Sequence, residues 1–245
     1  MDDFPGILLP AALVVLAAYL IFGVSGFGST LVAIPLLAHL LPLRFAIPVV
    51  VLLDAIASAS QGFRLRSGAM RSEVLLLVPF MLAGMAAGVT LLIRLPREPL
   101  LAALGLLVIG FGLSYLVRRR SALRFGRWVA APVGLFAGTL SALFSIGGPL
   151  YVMYLAGRGA APEQVRATMP AIFLFTTVSR IALFAATGLF TREVLVTAAL
   201  LAPAMLAGLW AGNRLHLKLS RENAVRVIGG LLTLSGASLV FRALS

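Results

Sequence analysis

One short stretch interrupts the apolar sequence of this chain and limits what the chain can fold into. Residues 23–30 read Gly-Val-Ser-Gly-Phe-Gly-Ser-Thr, which places three glycines and three hydroxyl side chains between two apolar runs. Glycine frees the backbone from helical geometry. Non-helical backbone at membrane depth is tolerated only where protein buries it or where it lines a water-filled cavity. The stretch therefore predicts a break in a membrane helix at a site.

A second break follows 120 residues later, in residues 144–149. Ser145 corresponds there to Ser25, and Gly148 corresponds to Gly28. Interrupted apolar segments at matching places in two halves of a chain are typical of secondary transporters. The alternative is that these glycines only permit tight turns and close helix contacts.

Composition indicates the class of protein. Of the 245 residues, 61% are hydrophobic and 11% are charged, which is typical of a protein that crosses the lipid bilayer several times. The chain opens with Met-Asp-Asp rather than the basic start of a signal peptide, so we expect the first apolar run to be retained. The net charge of +12 comes mostly from arginines in short loops, which favours membrane orientation over nucleic-acid binding.

Ten apolar runs follow one another along the chain. They span residues 6–22, 31–41, 45–63, 74–93, 98–117, 129–146, 149–157, 167–189, 194–213 and 223–243. Eight are long enough to cross a membrane. The runs at 31–41 and 149–157 fall well short of the roughly 20 residues that a crossing needs, and each follows a glycine break.

The second half of the chain repeats the first. Matched positions include Pro48 with Pro170, Glu73 with Glu193, Pro79 with Pro203, Gly84 with Gly208 and Gly88 with Gly212. Each half holds five apolar runs, and an odd number of reversals inverts the second half relative to the first. We predict an all-α integral membrane protein of two inverted-topology repeats with short broken or re-entrant helices at the glycine breaks. The repeats occupy residues 1–117 and 129–245, and a basic cytoplasmic linker occupies 118–128.

The distribution of basic residues predicts the orientation. If all ten runs reverse the chain, fourteen basic residues lie on one face and five on the other. The richer face should be cytoplasmic. We therefore expect a multi-pass protein of the cell (inner) membrane, with both termini extracytoplasmic. The count does not distinguish full crossings from hairpins that enter the membrane and return.

The residues after each break suit the start of a helix. Ser29 or Thr30 can cap a helix that begins near Leu31, and Pro149 suits the first helical position. A helix N-terminus carries unpaired N–H groups and partial positive charge, so it attracts anions. Two such ends that enter from opposite faces would form a mid-membrane anion site.

Asp54 and Arg180 are the charges that lie in the middle of long apolar runs. Each costs roughly 2.5–3.5 kcal/mol on membrane-insertion scales, so each requires a partner. One interpretation is an ion pair that holds the repeats together. The other gives Arg180 a substrate anion and gives Asp54 a proton or a role as the partner of Arg180.

Two other classes of function fit the sequence less well. Gly23-Val24-Ser25-Gly26 resembles the Gly-x-Ser-Gly of rhomboid intramembrane serine proteases, which need a histidine facing the serine. His39 and His216 lie near the ends of apolar runs, unsuited to that role and too few for a metal site. The phosphate-binding pattern Gly-x-x-x-x-Gly-Lys-Ser/Thr does not occur, which argues against an ATP-driven pump. We predict no enzyme activity and no cofactor.

The two breaks also carry a family resemblance. Ser25-Gly26-Phe27-Gly28 followed by Pro35, and Gly134-x-x-x-Gly138 leading to residues 145–149, are similar to the TauE/SafE family of membrane exporters. Arg166 after the second short run belongs to the same pattern. The resemblance implies a two-repeat secondary transporter that exports sulfite, sulfonates or related anions.

These observations predict a small anion bound at mid-membrane. The expected substrate-binding residues are Ser25, Gly26, Gly28, Ser29, Thr30, Ser145, Gly147, Gly148 and Arg180, with Asp54 as the partner of Arg180 or as a coupling residue. The alternative within transport is an anion channel. The sequence leaves open proton or sodium coupling and assembly into a homo-oligomer.

Overall fold

The structure is a computed structural model that describes residues 4–25, 29–61, 69–116, 124–215, 233 and 235–241. Within these residues the secondary structure is helical, which confirms the all-α prediction. The helices are α1 (Phe4–Ser25), α2 (Ser29–Leu40), α3 (Leu43–Gln61), α4 (Arg71–Arg94), α5 (Arg97–Leu116), α6 (Ala130–Phe144), α7 (Gly148–Gly157), α8 (Pro162–Ala186) and α9 (Arg192–Leu215). A short 3-10 turn at Arg127–Val129 precedes α6.

The helices follow the apolar runs of the sequence. Six of those described are long and apolar enough to cross a membrane, so the protein is a multi-pass membrane protein. The two short runs form α2 and α7, of 12 and 10 residues, and each begins directly after a glycine break. Pro149 is the second residue of α7, one position after the first helical position that the sequence predicted. The run at 223–243 lies largely outside the described residues, and its described residues are helical.

The described helices form two compact units, and each unit draws on both halves of the sequence. The first contains α1, α2, α3 as far as Leu53, α5 and α9. The second contains the rest of α3, together with α4, α6, α7 and α8. The repeat boundaries at residues 117 and 129 concern sequence similarity, and they stay a prediction.

In the first unit, α1 packs along α9 at backbone contact. A Cβ atom placed on Gly208 would overlap the carbonyl oxygen of Leu16, and one on Gly212 would overlap that of Leu20. Only glycine lets two helix backbones approach so closely. The Gly208-x-x-x-Gly212 pattern therefore serves close helix packing, the usual role of small residues at this spacing.

In the second unit, α4 and α6 form the corresponding contact. A Cβ atom on Gly84 would overlap the Leu135 carbonyl, and one on Gly88 would lie 2.6 Å from the carbonyl oxygen of Thr139. The Thr139 hydroxyl donates a hydrogen bond of 3.0 Å to the carbonyl of Gly84 across this crossing. From the side of α6, a Cβ atom on Gly138 would lie 2.5 Å from the carbonyl oxygen of Met81, and one on Gly134 would lie 2.7 Å from the Cβ atom of Phe80.

The two crossings involve equivalent elements. In each unit, the first helix of one half of the sequence packs against the fourth helix of the other half. The matched glycine pairs make matched contacts, which agrees with the sequence repeat. The inversion of one repeat relative to the other stays a prediction.

Candidate functional site

The second glycine break begins at the end of α6. Ser145 adopts left-handed backbone geometry, with φ 58° and ψ 23°, and its N–H donates a hydrogen bond of 3.0 Å to the carbonyl of Ser141. Glycine is the usual residue in this terminating position. Among the described residues, Ser145 is the one non-glycine residue with positive φ. Backbone strain of this kind is concentrated at functional sites.

Arg180 reaches this serine from α8. Its side chain is buried, with 6% of the residue exposed. Nη1 donates a hydrogen bond to the Ser145 hydroxyl and a longer one, of 3.4 Å, to the carbonyl oxygen of Ser141. The structure therefore brings together two of the residues predicted to bind substrate. They come from helices α6 and α8, 35 residues apart in the chain.

The glycines of the break have different surroundings. A Cβ atom on Gly147 would overlap the Ser141 hydroxyl and lie 2.6 Å from the carbonyl oxygen of Ala137, so packing alone requires glycine there. A Cβ atom on Gly148 would lie 3.3 Å from the ring of Phe173, a tight but less severe contact. Gly148 begins α7, so the N-terminus of this helix lies next to Ser145 in the chain.

The predicted residues of the first break are described only in part. Gly26 and Gly28 lie outside the described residues, as does the side chain of Ser25, whose backbone ends α1. Ser29 and Thr30 form the first turn of α2, and Ser29 is buried. Their part in binding stays a prediction.

Asp54 lies in α3 and is half-buried. It begins the part of α3 that belongs to the second unit, the unit that also contains Arg180. The ion pair between Asp54 and Arg180 stays a prediction.

The second unit contains a buried polar cluster that the sequence did not predict. Glu73 is 3% exposed and accepts a hydrogen bond of 2.6 Å from the Tyr154 hydroxyl. It also forms an ion pair with Arg158, whose Nη2 lies 3.0 Å from Glu73 Oε1. Nη1 of the same arginine donates a bond of 2.8 Å to the carbonyl of Phe125. We call Glu73, Tyr154 and Arg158 the Glu73 cluster.

The Glu73 cluster ties three parts of the second unit together. It joins the first turn of α4 to the C-terminal end of α7 and to the segment before α6. The hydrogen bond to Glu73 raises the pKa of Arg158, which keeps that guanidinium charged. Residues four apart on a helix share a face, so the spacing of Tyr154 and Arg158 was a usable signal. Glu193, the repeat equivalent of Glu73, is exposed.

Two further residues beside the break were missed. Ser141 lies one helical turn before Ser145 on α6 and supplies the carbonyl that accepts from Arg180. Tyr151 lies in the first turns of α7 and is buried. The position of Ser141, four residues before Ser145, was a usable signal because such residues lie on one helix face.

These features define a class: a polytopic helical membrane protein with a buried arginine at the break between two helices. The chain belongs to the sulfite exporter TauE/SafE family, which matches residues 11–239. This confirms the resemblance drawn from the two breaks. The chain is also similar to the probable sulfite/organosulfonate exporter TauE of Cupriavidus necator, with 30% identity over 112 residues. That alignment spans 46% of this chain and 44% of the relative. No solved structure matches.

Proposed function

We propose that this protein is a secondary transporter of the bacterial inner membrane that exports small oxyanions such as sulfite or an organosulfonate. Membership of the TauE/SafE family supports export of this substrate class. The observation that carries the proposal is the contact of buried Arg180 with the Ser145 hydroxyl at the start of α7.

The chemistry of this contact suits an oxyanion. A dehydrated anion needs hydrogen bonds and compensating charge. The planar guanidinium of Arg180 can donate to two oxygens at once, an arrangement that fits sulfite and sulfonate groups. The N-terminus of α7 adds unpaired N–H groups and partial positive charge. The left-handed backbone of Ser145 presents its hydroxyl to the same guanidinium.

Asp54 is the proposed partner of Arg180 when no substrate is bound. In the absence of substrate, its carboxylate pairs with Arg180 and offsets the cost of burying the guanidinium. Protonation of Asp54, or arrival of a cation, would release Arg180 to the anion. This assigns Asp54 to coupling, with a proton or sodium as the coupling ion. Both chain termini are proposed to be extracytoplasmic, as the distribution of basic residues indicates.

A serine protease and an anion channel are the alternatives to a transporter, and each requires a different arrangement or behaviour. A protease that uses Ser25 needs a histidine base next to it, but His39 lies in the last turn of α2, roughly 15 Å of helix from Ser29. An anion channel would use the same buried arginine. Counterflow distinguishes it from a carrier, because only a carrier accumulates labelled substrate against its own gradient in proteoliposomes.

The test replaces Arg180 and measures equilibrium binding of radiolabelled sulfite to the purified full chain. Arg180→Ala should weaken binding at least about 100-fold, because two charge-assisted hydrogen bonds are lost. Arg180→Lys keeps the positive charge but loses the planar guanidinium that donates to two oxygens, and it should weaken binding only about 10-fold. The matched control, Arg192→Ala, removes an exposed arginine at the start of α9 and should leave binding unchanged. Wild-type affinity in folded Arg180→Ala protein would refute the site.

A further inference from the structure

Helix α7 carries two buried tyrosines one turn apart, and their hydroxyls differ in environment. Tyr151 is 1% exposed and Tyr154 is fully buried. The Tyr154 hydroxyl donates to Glu73 at 2.6 Å. The Tyr151 hydroxyl is buried as well, but it makes no hydrogen bond with any residue that the structure describes. Buried polar groups are nearly always hydrogen-bonded, so an exception calls for an explanation.

Tyr151 belongs to the surroundings of the second glycine break. A Cβ atom on Gly147 would lie 3.1 Å from its ring, on the same side as the Ser141 hydroxyl. Ser141 and the charge of Arg180 are close enough to influence the Tyr151 hydroxyl electrostatically. The Ser141 side chain nevertheless fails to meet hydrogen-bond geometry with it. The hydroxyl of Tyr151 is therefore buried near the break, within electrostatic reach of Arg180, and no described residue accepts a hydrogen bond from it.

An oxyanion is the ligand that fits this arrangement. The phenol is a neutral donor, so it can bind an anion oxygen while Arg180 supplies the charge. A hydrogen bond to a charged acceptor is stronger than one between neutral groups. A tetrahedral or pyramidal oxyanion has several oxygens, which lets one contact the guanidinium and another the phenol. The positive charge of Arg180 near the phenol favours an anion over a cation at this position.

We propose that the Tyr151 hydroxyl donates a hydrogen bond to an oxygen of the anion bound at Arg180 and so acts as a further substrate-binding residue. This inference rests on the proposed function and adds a contact to the same site. It also explains the different environments of the two tyrosines. Tyr154 uses its hydroxyl to hold the fold together, whereas Tyr151 keeps its hydroxyl for substrate.

The test compares Tyr151→Phe with its matched control Tyr154→Phe, since each variant removes one oxygen atom from the same helix. Binding of radiolabelled sulfite to the purified full chain is measured together with Tm. Tyr151→Phe should weaken sulfite binding roughly 10- to 100-fold, the range for a hydrogen bond to a charged group. Its Tm without ligand should be unchanged or raised, because no internal bond is lost. Tyr154→Phe should show the reverse: a lower Tm and unchanged affinity.

Three outcomes would overturn the proposed role of Tyr151 or the anion site. If Tyr151→Phe binds sulfite with wild-type affinity, the proposal is wrong and the hydroxyl has another role. If Tyr151→Phe loses Tm as Tyr154→Phe does, or fails to fold, the hydroxyl has an internal partner and the proposal is equally wrong. The Arg180→Ala variant separates this inference from the proposed function. Loss of binding in Arg180→Ala with retention in Tyr151→Phe overturns only the role of Tyr151, whereas retention in both overturns the anion site itself.

Discussion

Replacing Gly88 by alanine tests how closely α4 and α6 approach. The added Cβ atom would lie 2.6 Å from the carbonyl oxygen of Thr139 and 2.9 Å from the Cβ atom of Ala142. Ordinary carbon–oxygen contacts between helices are about 3.3–3.6 Å. The oxygen belongs to helix backbone and cannot swing away as a flexible side chain would. The two helices must therefore separate by several tenths of an ångström along the crossing.

The magnitude follows from three terms. Overpacking a tightly packed interface costs about 1–3 kcal/mol. Separation also weakens the hydrogen bond from the Thr139 hydroxyl to the Gly84 carbonyl, at a cost of at most about 0.5–1.5 kcal/mol, because the same proton can turn to the Leu135 carbonyl 2.9 Å away. Alanine offsets about 1 kcal/mol of this loss in stability because it is a better helix former than glycine. We expect a net loss of about 2 kcal/mol, which corresponds to a fall in Tm of about 4–8 °C for a chain of this size.

The assay is thermal unfolding of the purified protein in detergent, followed by the fluorescence of Trp128 and Trp210. The matched control is Gly110→Ala on α5, where an added Cβ atom would meet nothing within 4 Å. We expect that variant to equal the wild type or exceed it slightly. Gly212→Ala, at the equivalent crossing of α1 and α9, should lose as much stability as Gly88→Ala. Equal Tm values for Gly88→Ala and Gly110→Ala would refute the close α4/α6 contact.

Two further predictions concern the Glu73 cluster and the orientation. Glu73→Gln removes the charge that pairs with Arg158 inside the second unit and should lower Tm by several degrees. Glu193→Gln, at the exposed repeat-equivalent position, should leave Tm unchanged. Equal Tm values for the two variants would contradict the structural role of the Glu73 cluster. Because the chain has no native cysteine, single introduced cysteines can report orientation through labelling with a membrane-impermeant thiol reagent. In whole cells, Ser121→Cys should be protected from the reagent and Ser245→Cys should be labelled. The reverse pattern would contradict the proposed topology.

Much of the fold could be predicted from the sequence because the bilayer imposes simple rules. In the part of the chain that the structure describes, runs of apolar residues long enough to cross hydrocarbon form helices, and the two shorter runs form α2 and α7. Glycine pairs with three residues between them favour close helix contacts, since only glycine removes the Cβ atom from the interface, and the structure has such contacts. Arg180 could be singled out because a charge is costly at that depth in a membrane.

Other features depended on contacts between residues far apart in the chain. The pairing of α1 with α9 and of α4 with α6 crosses the boundary between the two sequence halves, and periodicity within a helix does not specify its partner. The Glu73 cluster was not predicted because Glu73 looks like an ordinary helix-start carboxylate until the end of α7 covers it.

The sequence by itself determined the class of protein, the positions of the helix breaks and the buried arginine, because each follows from local composition in a membrane. The tertiary structure decided which groups meet that arginine. Ser145 reaches Arg180 through the left-handed end of α6, and the first turn of α7 brings the ring of Tyr151 against Gly147 in the same break. Burial and hydrogen-bond partnership are properties of assembled helices. The difference between Tyr151 and Tyr154, two tyrosines of one short helix, therefore emerged only when the neighbouring helices were in place.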